Sequence, residues 1–444
     1  MSEIETEANA VAPVPYDSTI VRRFLVWAQR ADAGGRAEAA NALARAYLYS
    51  DLPPALRREA GVGLTSLLDD HSTLVRRALA EALASANDAP HHIVLALACD
   101  ISEVSCPVLA RSPVLTEAEL VDCAAIGDVH AQSALASRPR LSAGVGAALA
   151  EIGERDAVLI LAGNLDSDLR PSVLRRIVER FADEAGIREA LLTRPRLPPM
   201  LRCDLVAATA RALSAFVVSC DWLRPERVER IAREAREQGA IVVAAASRGA
   251  ELSDLVRHLR ENGTLTIALL TRGLLCGDRA LFTQALVELS GLPQPRVAGF
   301  VRDPRGNGFA SLYARTGLPA GYLPAFRAAL LAIDECSVTR SDQLSLSLVT
   351  RVIERCERLN TPDLAKFLSL LHRFEAEAAR VAARDFADNA IAEAQAPQLV
   401  RIASGADAPL LTLEGPVEER GEAPPVELPP DLTAALDAAL AEAA

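Results

Sequence analysis

In the stretch LLDDHSTLVRRALAEALA, residues 67–84, Val75, Leu79 and Leu83 recur at every fourth position and form one apolar stripe on a helix. The last of them opens a longer rhythm. A Leu-Ala dipeptide stands at Leu83-Ala84, Leu109-Ala110, Leu135-Ala136 and Leu161-Ala162, each 26 residues after the one before. A polar break follows each one, as in SANDAP, RSPVLTEAEL and SRPRLSAGVGAAL. Pro113 and Pro139 take the same place in successive breaks, and Pro195 recovers it after a slip of four residues. Proline suits the first turn of a helix and disrupts its interior, so these breaks read as helix ends followed by capped starts. A second mark falls mid-repeat, at Gly127-Asp128 and Gly153-Glu154, where glycine in the left-handed conformation is expected to close a helix. Each unit then holds two short helices, for example ELVDCAAIG and VHAQSALAS, that bury their apolar sides against neighbouring units. The expected fold is all-α, a right-handed superhelical array (an α-solenoid) of short helix pairs with a period near 26 residues.

The beat loosens further on. FTQALVELSGLPQ and FASLYARTGLPAG place Gly291 and Gly317 again 26 residues apart. The pattern predicts helices at 225–238, 240–249, 251–261, 264–275, 278–290, 307–316, 320–334, 341–358 and 361–395, the last closing the array as a cap. The resulting division is a disordered acidic tail at 1–18 and a HEAT-like repeat region at 19–210. A second repeat region with the long capping helix covers 211–400, with the two halves meeting near 205–225. A Pro/Glu-rich acidic tail at 401–444 ends in DLTAALDAALAEAA, where Asp431 can cap a short helix striped by Leu432, Leu436 and Leu440.

Asp70 followed five residues later by Val75-Arg76 resembles the opening of the second helix in a HEAT-type repeat. The Leu-Ala and Arg-Pro repeats, with ALLTRGLLCGDRALFTQALVELSGLP and its echo FASLYARTGLPAG, resemble an uncharacterised helical-repeat family. That family is found mainly in alphaproteobacteria and is catalogued as a domain of unknown function. The resemblance spans roughly residues 36 to 400; it implies a helical-repeat fold and a bacterial source, and it carries no activity or site.

Composition agrees with helices: half the chain is hydrophobic but only 4% is aromatic. The net charge of −12 is carried at the ends, since residues 1–17 contribute −4 and residues 403–444 contribute −8. The remaining body is neutral and lacks the basic field that general binding to phosphate backbones requires. Eight cysteines show no C-x-x-C pair and read as free, buried thiols of a reducing compartment. The acidic start MSEIETEANA has no apolar signal region, and no apolar run approaches the ~18 residues of a membrane span, so a cytoplasmic protein without membrane contact is expected.

Candidate chemistry is sparse. Arg224, Arg227, Arg230, Arg233 and Arg236 recur every third residue, which winds them around the helix instead of aligning them. Glu226–Arg230 and Glu229–Arg233 are favourable i, i+4 pairs, so a salt-bridged helix is expected. Gly306 and Gly308 in DPRGNGFASLY lack Walker spacing and mark a turn, flanked by Arg302 and Arg305. Of the six histidines only His91 and His92 are paired, and adjacent helical positions diverge too far to share a metal, so neither metal nor cofactor is expected. Arg138, Arg140, Arg194 and Arg196 fall at repeat boundaries, where in-register units would align them as a rim for an acidic partner. The expected function is a non-enzymatic scaffold or regulatory adaptor that binds a partner protein or peptide. The alternative is a helical-solenoid enzyme or nucleic-acid-processing protein, glycosylase-like or lyase-like, with Trp222 beside Asp221, or Trp27, as its candidate residues.

Overall fold

A computed structural model of the chain describes residue 23 and residues 26–336, 338–359 and 361–395; Leu432, Leu436 and Leu440 lie outside them. Among the described residues all regular structure is helical and no strand occurs. The N-terminal part holds α1 (Ala33–Tyr49), α2 (Pro54–Ser66), α3 (Thr73–Leu83), α4 (His91–Ala98), α5 (Ser102–Arg111), α6 (Glu117–Ile126), α7 (Val129–Ala136), α8 (Ala143–Ile152), α9 (Arg155–Gly163), α10 (Pro171–Phe181) and α11 (Ala185–Leu192). Alternate helices pack on one another. The series α1, α3, α5, α7, α9, α11 forms one succession, and α6, α8, α10 forms another that leads into α12 (Pro199–Ser219). The leucines of the four Leu-Ala dipeptides fall in α3, α5, α7 and α9, and all are buried in one apolar cluster that runs from Ala37 to Leu205.

A second cluster runs from Ala240 to Phe374. It is built from α13 (Pro225–Ala246), α14 (Gly249–Glu261), α15 (Ile267–Leu275), α16 (Arg279–Ser290), α17 (Gln294–Arg302), α18 (Asn307–Arg315), α19 (Leu323–Cys336), α20 (Leu346–Leu359) and α21 (Ala365–Gln395). Phe282, Tyr313, Phe326 and Phe367 pack ring to ring in it, with centroids 5.3 to 5.8 Å apart along the chain of contacts. The described residues up to 386 form one compact unit.

Local chemistry sets most boundaries. Thr116 and Glu119 close a capping box on α6, Asp128 accepts the His130 and Ala131 N–H groups at the start of α7, and Ser142 caps α8. Pro139 and Arg140 lie in the turn between, where Arg140 takes a left-handed φ of 53°. Glycine behaves differently from expectation at two ends. Gly127 and Gly153 are extended, with φ of −74° and −60°, and do not close their helices in the left-handed form. What they supply is room: a Cβ at Gly127 would lie 2.6 Å from the Cys123 carbonyl oxygen, and one at Gly153 2.3 Å from that of Leu149. Gly291 and Gly317 do adopt left-handed φ, 68° and 74°.

Three predicted elements are redrawn. The helices expected at 225–238 and 240–249 are one helix, α13, because Gly239 serves close packing: a Cβ there would stand 2.6 Å from Val206 Cγ1 on α12. The segment QPRVAGFVR, outside the expected helices, is α17, with Val297 and Val301 buried one turn apart. The helix expected from 341 starts at Leu346, because the preceding residues strap onto the core: Ser341 N–H donates to the Cys276 carbonyl, Ser345 N–H to that of Leu275, and Arg340 pairs at 2.9 Å with fully buried Asp278.

Candidate functional site

The four boundary arginines divide into two kinds. Arg138 reaches back to the preceding unit and donates to the Leu109 and Ser112 carbonyls at 2.5 and 2.6 Å. Buried Arg194 does the same to Ala162, Asn164 and Ser167, at 2.7 to 3.0 Å. Both cover the free carbonyls at a helix C-terminus, where the helix dipole favours a cation. Arg140 and Arg196, two residues further on in each case, are exposed. Arg180, not singled out by the repeat, joins the first kind by holding the Ala150 and Gly153 carbonyls at 2.6 and 3.0 Å.

The second feature is a helical hairpin. α12 and α13 have 21 and 22 residues, where α3–α11 have 8 to 11. They pack against each other and are joined by residues 220–224, a link so short that they run antiparallel. The first apolar cluster stops at Leu205 and the second starts at Ala240. From Val206 to Ser219, α12 therefore runs on beyond the first cluster for about 20 Å at 1.5 Å per residue. Its seam with α13 there is made of small residues, Ala208, Ala210, Val228 and Ala232. The large apolar side chains face outward: Leu213, Phe216, Val218, Trp222 and Ile231 are 41 to 66% exposed. Phe216 and Trp222 meet edge to face with centroids 5.7 Å apart. A shallow groove of about 530 Å³ lies beside Val218, Pro225 and Val228.

Charge rings this tip. Arg224, Arg227 and Arg230 are exposed and form no ion pair among the described residues, while Arg211, nearer the base, stands 3.6 Å from Asp183. Glu229 is taken by Arg236 at 2.9 Å, one turn beyond the expected partner Arg233. Trp222 is thus an exposed hairpin residue, and neighbouring Asp221 takes a left-handed φ of 54° to turn the chain.

At the base of the hairpin, α10, α12 and α14 enclose a cleft of about 730 Å³. Asp204 Oδ1 lies 2.7 Å from His258 Nε2, and Asn262 Nδ2 lies 3.0 Å from the same ring nitrogen. Arg175, Arg211 and Arg257 line the cleft together with Glu179, Asp254 and Glu261, so its walls carry both signs. An aspartate-held imidazole can take up or give up a proton, yet the described walls offer no Ser, Thr, Cys, Lys or Tyr to act with it. Sequence reasoning passed over this pair, since 54 residues separate its members.

The other candidates take structural places. His91 pairs with Glu119 at 3.0 Å and His92 with Thr65 Oγ1 at 3.1 Å, so the two rings diverge. Gly306 precedes α18, and Gly308 admits the Phe300 ring, which a Cβ would meet at 2.6 Å. Cys123, Cys276 and Cys356 are buried, whereas Cys99 is exposed; burial pushes the Cys276 thiol up to about 12 and that of Cys356 to about 11. No helix among the described residues is long and apolar enough to cross a membrane.

These features define an all-helical protein with a projecting hairpin. The profile of a bacterial family, DUF2336, described as "Uncharacterised protein conserved in bacteria", matches residues 104–362, more than half of the chain. The chain belongs to that family. No curated protein and no solved structure matches it.

Proposed function

We propose that this chain is a non-enzymatic helical-repeat scaffold or regulatory adaptor of the bacterial cytoplasm, and that its α12–α13 hairpin holds a partner protein. In this reading the alternating helices continue as a right-handed α-solenoid of helix pairs with a period near 26 residues, which sets the hairpin at a fixed place. The observation that carries the proposal is the tip itself. Aromatic and aliphatic side chains stand in water on a helix pair whose interior seam is already filled, and arginines surround them. Exposed clusters with Trp, Phe and Arg are the composition of interface hot spots. The partner that fits is an amphipathic helix with acidic flanks, its apolar stripe on Leu213, Phe216 and Trp222 and its carboxylates on Arg224, Arg227 and Arg230. Exposed Arg140 and Arg196 extend the contact for an acidic partner, positioned by Arg138 and Arg194, and the Leu432, Leu436, Leu440 stripe supplies a separate apolar contact. A second reading, a helical-solenoid enzyme or nucleic-acid-processing protein, draws on the Asp204–His258 pair in its arginine-bearing cleft.

A photoreactive amino acid in place of Phe216, irradiated in the native bacterium, tests the proposal. A single protein cross-linked through an acidic amphipathic helix, and lost when Trp222→Ser and Arg227→Ser are added, is the expected result. Cross-links to nucleic acid alone, or none, overturn the adaptor reading.

A further inference from the structure

A second hollow, of about 480 Å³, opens on the other side of Asp204 and His258, between α12, α13 and the segment that leads from α14 into α15. We propose that it is a binding site for a small organic anion, an apolar body carrying a carboxylate or a phosphate ester.

Three observations converge on that class of ligand. First, the wall is apolar where a body would rest: Ala240, Leu259 and Leu269 line it and are buried at 6% exposure or less. Second, three arginines from two helices line it, Arg211 from α12 and Arg233 and Arg236 from α13. Arg233 forms no ion pair among the described residues, Arg211 is 3.6 Å from its nearest carboxylate, and Arg236 shares the exposed Glu229. Third, the opposing carboxyl groups are weak competitors. Asp204 is held by His258 at 2.7 Å. Glu237 accepts a hydrogen bond from Thr266 Oγ1 at 3.3 Å, and burial raises its pKa although Arg272, Arg233 and Arg373 pull it down. Both carboxyl groups thus already have partners. A cation would face the three arginines, and a fully polar ion would leave the leucine wall dry and uncovered. The volume lies within the range of small-molecule sites, and the seam between two apolar clusters is a usual place for one. Half-buried groups shifted by their surroundings, Glu237 here and Cys203 whose thiol is pushed up to about 12, also gather at such sites.

The test uses the full chain at low salt, with phenyl phosphate and phenylacetate as probes and benzylamine and inorganic phosphate as controls. Methyl NMR of Leu259 and Leu269 reports the place, and titration calorimetry reports the affinity. At least one aromatic anion is expected to shift both methyl groups and to bind at least tenfold more tightly than inorganic phosphate, with benzylamine silent. Arg233→Ser, an exposed position that does not disturb the core, should weaken that binding at least tenfold, while Arg227→Ser at the hairpin tip leaves it unchanged. Response to phosphate equal to that of both aromatic anions, no shift of the two methyl groups, or equal binding by the Arg233→Ser protein overturns the proposal. Because Arg227 belongs to the proposed partner surface and Arg233 to this hollow, the two readings fail separately.

Discussion

Lys366 is the only lysine among 47 basic residues, a bias that the sequence leaves without meaning; the structure gives part of it a use. A guanidinium has donors in a planar fork and can satisfy two or three carbonyls at once, as Arg138, Arg180 and Arg194 do across the boundary to the preceding unit. Replacing Arg194 with Met keeps most of the bulk and strands those carbonyls, so thermal denaturation should show a loss of about 2 kcal/mol. The same change at exposed Arg196 should stay within about 0.5 kcal/mol. Glycines offer a parallel contrast. Gly127→Ala pushes a methyl group against the Cys123 carbonyl and Ala131, at 2.6 and 2.8 Å, and should cost roughly 1–3 kcal/mol. Gly163→Ala meets nothing within 4 Å at the end of α9 and should gain about 0.4–1 kcal/mol by restricting the unfolded chain. Neither outcome was legible in the sequence. Position in the repeat marks where an arginine or a glycine stands, but a carbonyl 26 to 32 residues away, or a clash with a missing Cβ, exists only after the chain has folded.

Helices themselves were the readable part, since an apolar stripe at 3.6-residue spacing needs no knowledge of what it packs on. Reading failed where glycine had a tertiary purpose, as at Gly239 inside α13, and where a helix takes proline in its first turn and tolerates an exposed glycine, as at Pro295 and Gly299 of α17. The exposed tip was hidden for the opposite reason: Leu213, Phe216 and Ile231 look like any core-facing positions until the helix is seen to outrun its core. The long helix α21 shows how one element is fixed by one polar contact. Arg272, 1% exposed, forms a bidentate pair with Glu377 at 2.7 and 2.8 Å, reaches Gln238 at 2.7 Å, and lies 4.7 Å from the Phe374 ring centroid. Arg373 adds a pair with Glu234 on α13. Glu377→Ala leaves the Arg272 cation in the interior without its carboxylate, at a cost of about 3 kcal/mol. Hydrogen exchange should rise along residues 365–386, while α3–α11 keep their protection.

Acid acts on the molecule unevenly. Asp70 is held below its ordinary value by the Arg36 guanidinium, Asp128 by the Ser102 hydroxyl and two backbone N–H groups, and Glu119 by the Thr116 N–H. Asp100 is also lowered; burial, the largest influence, raises it, and the Arg76 guanidinium and the Ile101 N–H together outweigh that. All four lie in or beside the N-terminal helices; in the C-terminal part Glu335 is lowered as well, by the Arg355 guanidinium. A carboxyl group whose pKa falls on folding contributes stability above its unfolded value near 4, and this is lost as the pH drops through the folded value. Amide exchange between residues 73 and 136 should therefore rise before that of residues 267–316 as the pH is lowered from about 5 to about 3. The reverse order would mean that these pairs do not set acid stability. The profile that defines the family begins at residue 104, within α5, and contains the whole hairpin. Because the stretch from Val206 to Ile231 contributes to neither apolar cluster, its outward residues are free of the constraint that packing places on the rest. The hairpin is in that sense an exchangeable cassette: its outward surface can be rewritten by mutation without refolding either half, so under the proposed function a change of partner would leave the framework intact.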